Sequence, residues 1–196
     1  MSKVIGIDLG TTFSAIAELD DLGNPEVLSD PESGDRITRS AVYFGKEKVI
    51  VGEKAKDAAV TKRDKVVFEV KSQMENEVIY SLKDGKFIEN NGKLKGYTPS
   101  QISSLILSKL GGYTSKVKKA VITVPAQFAD RARGATIEAA KLSKLDVELI
   151  NEPTAAILHY ANMPNVSLNG RVMVFDLGGG TFDISILEIG DGVFEV

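Results

Sequence analysis

RVMVFDLGGGTFDISIL, residues 171–187, is an apolar run that stops at a carboxylate, turns through glycine and starts again. Val172, Met173, Val174 and Phe175 lead to Asp176; Gly178, Gly179 and Gly180 follow; Phe182, Ile184 and Ile186 then alternate with polar residues. The pattern predicts strand, glycine turn, strand. With no Cβ atoms in the way, successive glycines let backbone N–H groups close on something bulky and anionic. Thr181 and Asp183 add a hydroxyl and a second carboxylate just past the turn. The device recurs near the start of the chain, where VIGIDLGTTFS occupies residues 4–14. Both copies read apolar strand, Asp-Leu-Gly, Thr-Phe, the later one with an extra residue before Thr-Phe. Ordinary hairpins also use glycine turns. Two turns that share Asp-Leu-Gly point instead to two hairpins facing one ligand across a cleft.

The chain of 196 residues, 43% hydrophobic, is long enough to bury a sizeable core. Mean hydropathy of −0.02 is that of a globular protein rather than a disordered or membrane one. No apolar run approaches the roughly 18 residues of a spanning helix, and no signal-peptide core opens the chain. A net charge of −3 argues against a general nucleic-acid binder. Zero cysteines exclude disulfides and thiolate metal sites and fit a reducing, cytoplasmic setting. The single histidine, His159, rules out His-cluster metal sites and argues against a Ser-His-Asp triad; it is expected on a helix near the surface, without a role.

Along the chain, residues 3–19 form the first hairpin, and the polar segment 29–40 is a loop. Short strands are expected at 26–28, 41–44 and 49–51, and a surface helix at 53–61. Asp84-Gly85 and Asn91-Gly92 are hairpin signals. Residues 38–97 therefore read as a strand-rich insertion into a core subdomain made of 1–37 and 98–169. Thr98-Pro99-Ser100-Gln101 is a helix start: a hydroxyl cap, proline at the first position and Gln three residues after the cap. Strand–helix units follow at 120–124 with 130–143, and at 147–150 with a helix to 161. Strands alternating with helices predict an α/β layer structure. Asp191-Gly192 opens one further hairpin, to 193–196.

Facing turns would make a phosphate slot from backbone N–H groups, with Asp8 and Asp176 at the strand ends holding hydrated Mg²⁺. Lys71 follows an apolar run; local sequence alone favours a solvated surface lysine there. Glu152 precedes Pro153 at a strand end, where a carboxylate projects into a cleft or is simply solvated.

IGIDLGTTFS, VPAQF, INEPTAAILHYA and FDLGGGTFDISIL together resemble the ATPase domain of the 70-kilodalton heat-shock chaperone family. The resemblance runs through most of residues 3–196 and implies the actin-like, ribonuclease H-type α/β fold, with ATP or ADP and Mg²⁺ in a central cleft; K⁺ is admitted beside them. It implies that Gly10, Thr11, Thr12 and Phe13 form the first phosphate loop and Gly178, Gly179, Gly180 and Thr181 the second. Asp8 and Asp176 then match the Mg²⁺-site aspartates, Lys71 the lysine that orients the attacking water, and Glu152 the glutamate that places the metal's water shell. Thr181 and Asp183 match residues near the γ-phosphate, Asp183 also toward the metal. Pro125 and Arg133 resemble the pair that couples nucleotide state to a peptide-binding domain. Ser72, Arg39, Gln127 and Lys144 depart from the pattern, where arginine, proline, an aromatic residue and glycine are usual.

The resemblance further implies unfolded polypeptide clients, a J-domain co-chaperone and a nucleotide-exchange factor as partners. It reads residues 170–196 as the opening strands of a second lobe, so that the chain lacks the family's adenosine pocket and peptide-binding domain. On that reading ATP binding is millimolar at best, and the edge strands of 171–196 self-associate or are disordered. An actin-like filament ATPase and a sugar or acetate kinase are the competing readings; NEPTAA and the insertion argue against the filament, and no substrate-pocket signature supports the kinase.

Overall fold

β1 (Lys3–Leu9) alternates strictly. Ile5, Ile7 and Leu9 are buried, while Val4, Gly6 and Asp8 face the other way. The computed structural model describes residues 3–90, 92, 95–115, 117–179, 182–190 and 193–195. β2 (Phe13–Leu19) returns antiparallel, with Ala15 and Ala17 opposite Asp8 and Gly6. β3 (Pro25–Val27) and β4 (Thr38–Arg39) both pair with β2. The expected insertion at 38–97 therefore begins with a strand that belongs to the main sheet. Its remainder holds two small sheets. β5 (Val42–Phe44) and β6 (Val49–Val51) pair, α1 (Glu53–Lys62) follows, and β7 (Val66–Val67) closes on β5. Ala41, Tyr43, Ala55 and Val66 are the small core of this part.

β8 (Val78–Ser81) and β9 (Lys86–Glu89) make the Asp84-Gly85 hairpin. Its turn spans 82–85 rather than two residues, because the Ser81 hydroxyl donates to Asp84 (2.6 Å) and Gly85 takes φ +63°. The Asn91-Gly92 signal lies partly outside the described residues. Tyr97 then bridges back to Tyr80.

α2 (Pro99–Gly111) starts where the sequence predicts. The Thr98 hydroxyl accepts from the Gln101 N–H (3.2 Å), and the Gln101 side chain accepts from the Thr98 N–H (3.0 Å). β10 (Val117–Val124) runs parallel to β1; α3 (Asp130–Leu142) leads to β11 (Asp146–Asn151), parallel to β10. Both strands exceed their β-branched stretches because the ladder recruits polar ends: Asp146 pairs with Lys119 and Asn151 with Val124. The sheet order is β11-β10-β1-β2-β3. Ile102, Ile106, Leu107 and Leu110 of α2 and Ala132, Ala139 and Ala140 of α3 pack on the face carrying Ile5, Ile7 and Ile122.

α4 (Glu152–Ala161) borders the opposite face. β12 (Gly170–Leu177), β13 (Phe182–Gly190) and β14 (Val193–Glu195) form a separate antiparallel sheet. The Asp191-Gly192 turn and Val196 lie outside the described residues. Val172, Val174, Leu187 and Ile189 fix this sheet to Ile157 of α4. Its other face, from Met173 to Ile186, is exposed. Among the described residues no helix is long and apolar enough to cross a membrane.

Candidate functional site

Period-two alternation decides what faces the site. Asp8 leaves β1 on the face opposite the core, and its neighbour across the parallel ladder is Thr123, whose hydroxyl donates to the Asp8 carboxylate at 2.8 Å. Beyond Leu9 the chain turns at Gly10. A Cβ there would come within 2.1 Å of the Phe13 carbonyl oxygen, so the turn admits only glycine. The buried Ser40 braces it: its hydroxyl donates to the Gly10 carbonyl (2.8 Å) and its N–H to the Thr12 carbonyl (2.9 Å). With that proton committed, the Ser14 hydroxyl, 2.9 Å away, is the donor to Ser40. Arg39 stacks its guanidinium 4.0 Å from the Phe13 ring centroid, so the residue found in place of proline supports the same turn.

Lys71 is 9% exposed and ion-pairs with Glu152, contrary to the solvated lysine that local sequence favours. The apolar strand is only Val66–Val67; Glu69 then takes a left-handed φ of 53°, and Lys71 sits in a 3₁₀ turn, Val70–Gln73, whose own residues Val70 and Lys71 are buried. Ser72 locks this reversal by donating to the Glu69 carbonyl at 2.8 Å. Glu152 is the first residue of α4, directly beyond β11. Burial pushes its carboxyl above the ordinary value of 4.5; Lys71 opposes that shift, and the charges of Asp8 and Asp176 add to it.

The second glycine turn meets the first. A Cβ on Gly179 would lie 1.9 Å from the Thr12 hydroxyl oxygen, so this contact too requires glycine. Asp8, Gly10, Thr11, Thr12, Phe13, Lys71, Glu152, Asp176, Gly178 and Gly179 all line one cavity of about 1180 Å³. Gly180 and Thr181 lie outside the described residues. His159 is exposed on α4, as expected, but borders this cavity.

Asp183 does not line the cavity with them; its carboxylate accepts from the Gln127 amide at 2.5 Å. Pro125 is buried where β10 ends. Arg133 is turned inward: it donates to the carbonyls of Phe128 (2.9 Å) and Ala126 (3.4 Å) and to the Asn151 side chain (2.6 Å), tying the loop after β10 to the residue before Glu152. The sequence reading missed Ser40 and Thr123. Thr123 had a signal, since alternation in Ala120–Val124 puts it on the face of Asp8; Ser40 had none.

Among the described residues no three His, Cys, Asp or Glu side chains gather as a ready-made metal cage. The donor set nevertheless suits hydrated Mg²⁺, which takes few carboxylates and keeps its waters. Among the described residues, three carboxylates, Asp8, Glu152 and Asp176, border the cavity with one ammonium, Lys71. Their mutual repulsion is felt at Glu152. A divalent cation between them and an anionic ligand neutralises that excess. The arrangement as a whole offers backbone N–H groups, hydroxyls and a buried lysine to an anion, and carboxylates to its counter-cation. In comparison with known families, the model described as Hsp70 protein matches residues 4–196.

Proposed function

The chain belongs to the Hsp70 family of ATP-hydrolysing chaperones, which has the actin-like fold, and from that we propose that its cavity takes the phosphates of ATP and, after turnover, ADP, with Mg²⁺ as counter-ion. The observation that carries this reading is the contact of Gly179 with Thr12, which closes two glycine turns over one set of carboxylates and Lys71. Backbone N–H groups of the turns hold the phosphate oxygens, with Thr11 and Thr12 beside them. Asp8, oriented by Thr123, and Asp176 hold the metal's water shell, and Glu152 shares in it. When bound, Mg²⁺ neutralises phosphate charge and polarises the γ-phosphorus. Lys71, held by Glu152, orients the attacking water and stabilises the charge that develops in transfer. Thr181 belongs near the γ-phosphate, with Gly178 and Gly180 in the second loop, while Asp183, held by Gln127 and outside the cavity lining, stands behind that loop rather than on the phosphate or the metal. K⁺ is a further cation this site admits.

Pro125 and Arg133 relay nucleotide state to the grip on unfolded polypeptide, served by a J-domain co-chaperone and an exchange factor in the cytoplasm. Arg133 suits that role because it touches both the Pro125 loop and Asn151, next to Glu152. We divide the chain as 1–37 with 98–169, 38–97, and 170–196. For these 196 residues we expect weak ATP binding, about millimolar or worse, worth about 4 kcal/mol. Among the described residues, the polar side chains lining the cavity are those of the phosphate and metal set, with Thr123 and His159 besides; the others are aliphatic or aromatic and offer a purine edge no side-chain hydrogen bond. The test is single-turnover ATP hydrolysis: Lys71→Ala should lower the rate by orders of magnitude and leave Mg²⁺-ATP binding nearly intact. Equal loss of binding and rate would make Lys71 a phosphate anchor only.

A further inference from the structure

The hairpin β12–β13 is docked at its base and at its tip by different forces. At the base, Val172, Val174, Leu187 and Ile189 pack with Ile157 of α4. Toward the tip, side chains on the same face are polar: Asp176 stands directly opposite Asp183, one ladder pair from the turn, since Leu177 and Phe182 are the last pair. Like charges directly opposite in a sheet repel. Among the described residues one side-chain hydrogen bond joins this hairpin to the rest of the chain, Gln127 to Asp183 at 2.5 Å. Its base is firm, because the carbonyls on either side of Gln127, those of Ala126 and Phe128, are both held by the Arg133 guanidinium. We propose that Gln127 is a positioning residue: its amide captures Asp183 and so sets how closely the second glycine turn sits on the first.

An amide donor satisfies the Asp183 carboxylate without adding charge, and draws it away from Asp176. Asp176 is cross-strand to Asp183 and lines the cavity, so the bond fixes a cavity carboxylate and a turn only two residues further on. Apolar packing at the base leaves that end free to swing; Gln127 holds it.

The protein has no cysteine, so thiols introduced by Lys141→Cys on α3 and Glu188→Cys on β13, both exposed positions, take spin labels uniquely. Pulsed electron resonance then reports the separation of hairpin and core without any ligand. The expected result is a narrow distance distribution in the parent and in Asp183→Asn, which keeps an acceptor. A broadened or shifted distribution is expected in Gln127→Ala and in Gln127→Glu, which sets a carboxylate against Asp183. Distributions unchanged in both Gln127 variants would overturn the proposal. The consequence for the ligand rests on the nucleotide reading above and is measured separately, by titration with Mg²⁺ and a fluorescent ADP analogue. Gln127→Ala should weaken binding about three- to tenfold, and Gln127→Ala with Asp183→Ala no more than Asp183→Ala alone. Additive losses would overturn it. A parent that binds no analogue would sink the nucleotide reading, while the distance measurement would still decide the positioning role.

Discussion

Replacing Lys71 with Met keeps most of the aliphatic stem and removes only the charge. Glu152 then stays in its half-buried place without a partner, as the side chains are 10% and 16% exposed. A stranded carboxylate that the cavity does not rehydrate escapes by taking a proton. Referred to the ordinary carboxyl value of 4.5, that escape costs about 3.4 kcal/mol at pH 7 and about 0.7 kcal/mol at pH 5. These values cap the penalty for leaving Glu152 unpaired; without the escape, breaking a buried pair costs about 3–5 kcal/mol. The sign follows from linkage: a carboxyl whose folded pKa is raised favours folding below about pH 4.5 and loses that contribution as pH rises through the raised value. Lys71→Met raises it further, so the variant should lose about 3 kcal/mol at pH 7 and under about 1 kcal/mol at pH 5. Urea unfolding followed by circular dichroism at the two pH values measures both. A loss that is the same at pH 5 and pH 7, or one below about 0.5 kcal/mol at pH 7, would show that the pair is solvated and the site open.

Three more substitutions probe the turns and the frame. Gly179→Ala drives a methyl group into Thr12, 1.9 Å from its hydroxyl oxygen; Mg²⁺-ATP binding should fall at least about tenfold by calorimetry while stability changes by less than about 1 kcal/mol. Ser40→Ala leaves the Gly10 carbonyl short of a donor and the Ser14 hydroxyl without its acceptor in a buried setting, and should cost about 1–3 kcal/mol in urea unfolding. Lys144 ends α3 with a left-handed φ of 63°, and Lys144→Gly should raise stability by about 0.5–1 kcal/mol, because relief of that strain exceeds the chain entropy that glycine adds. A destabilised glycine variant would mean that the Lys144 side chain holds something the strain argument overlooks.

Much of this was legible in the residues. The repeated Asp-Leu-Gly hairpins, the Thr98-Gln101 cap and the strand–helix alternation are local patterns, and the folded chain keeps them. What local pattern could not carry is contact between distant segments. Lys71 looks like a surface lysine because the left-handed Glu69 that turns it inward has no glycine to announce it. Ser40 sits in a polar loop with no motif, and its value comes from a carbonyl thirty positions away. Gln127 breaks the expected wording of its segment, and only the fold reveals Asp183 as its partner. The pairing of Thr38–Arg39 was hidden for a related reason: a two-residue strand carries no periodicity, and it joins the main sheet through its partner's register.

In the proposed site the paired turns hold phosphate rather than the base. Calorimetric titration of the chain with adenosine, AMP, ADP and ATP, each with Mg²⁺, measures that directly. The account predicts no measurable heat with adenosine, and affinity that climbs with each added phosphate to roughly millimolar for ATP. It also predicts that removing Mg²⁺ weakens ATP, because Asp8, Glu152 and Asp176 then face the triphosphate with Lys71 alone to offset them. Adenosine that binds as tightly as ATP, or ATP that binds equally well without the metal, would contradict it.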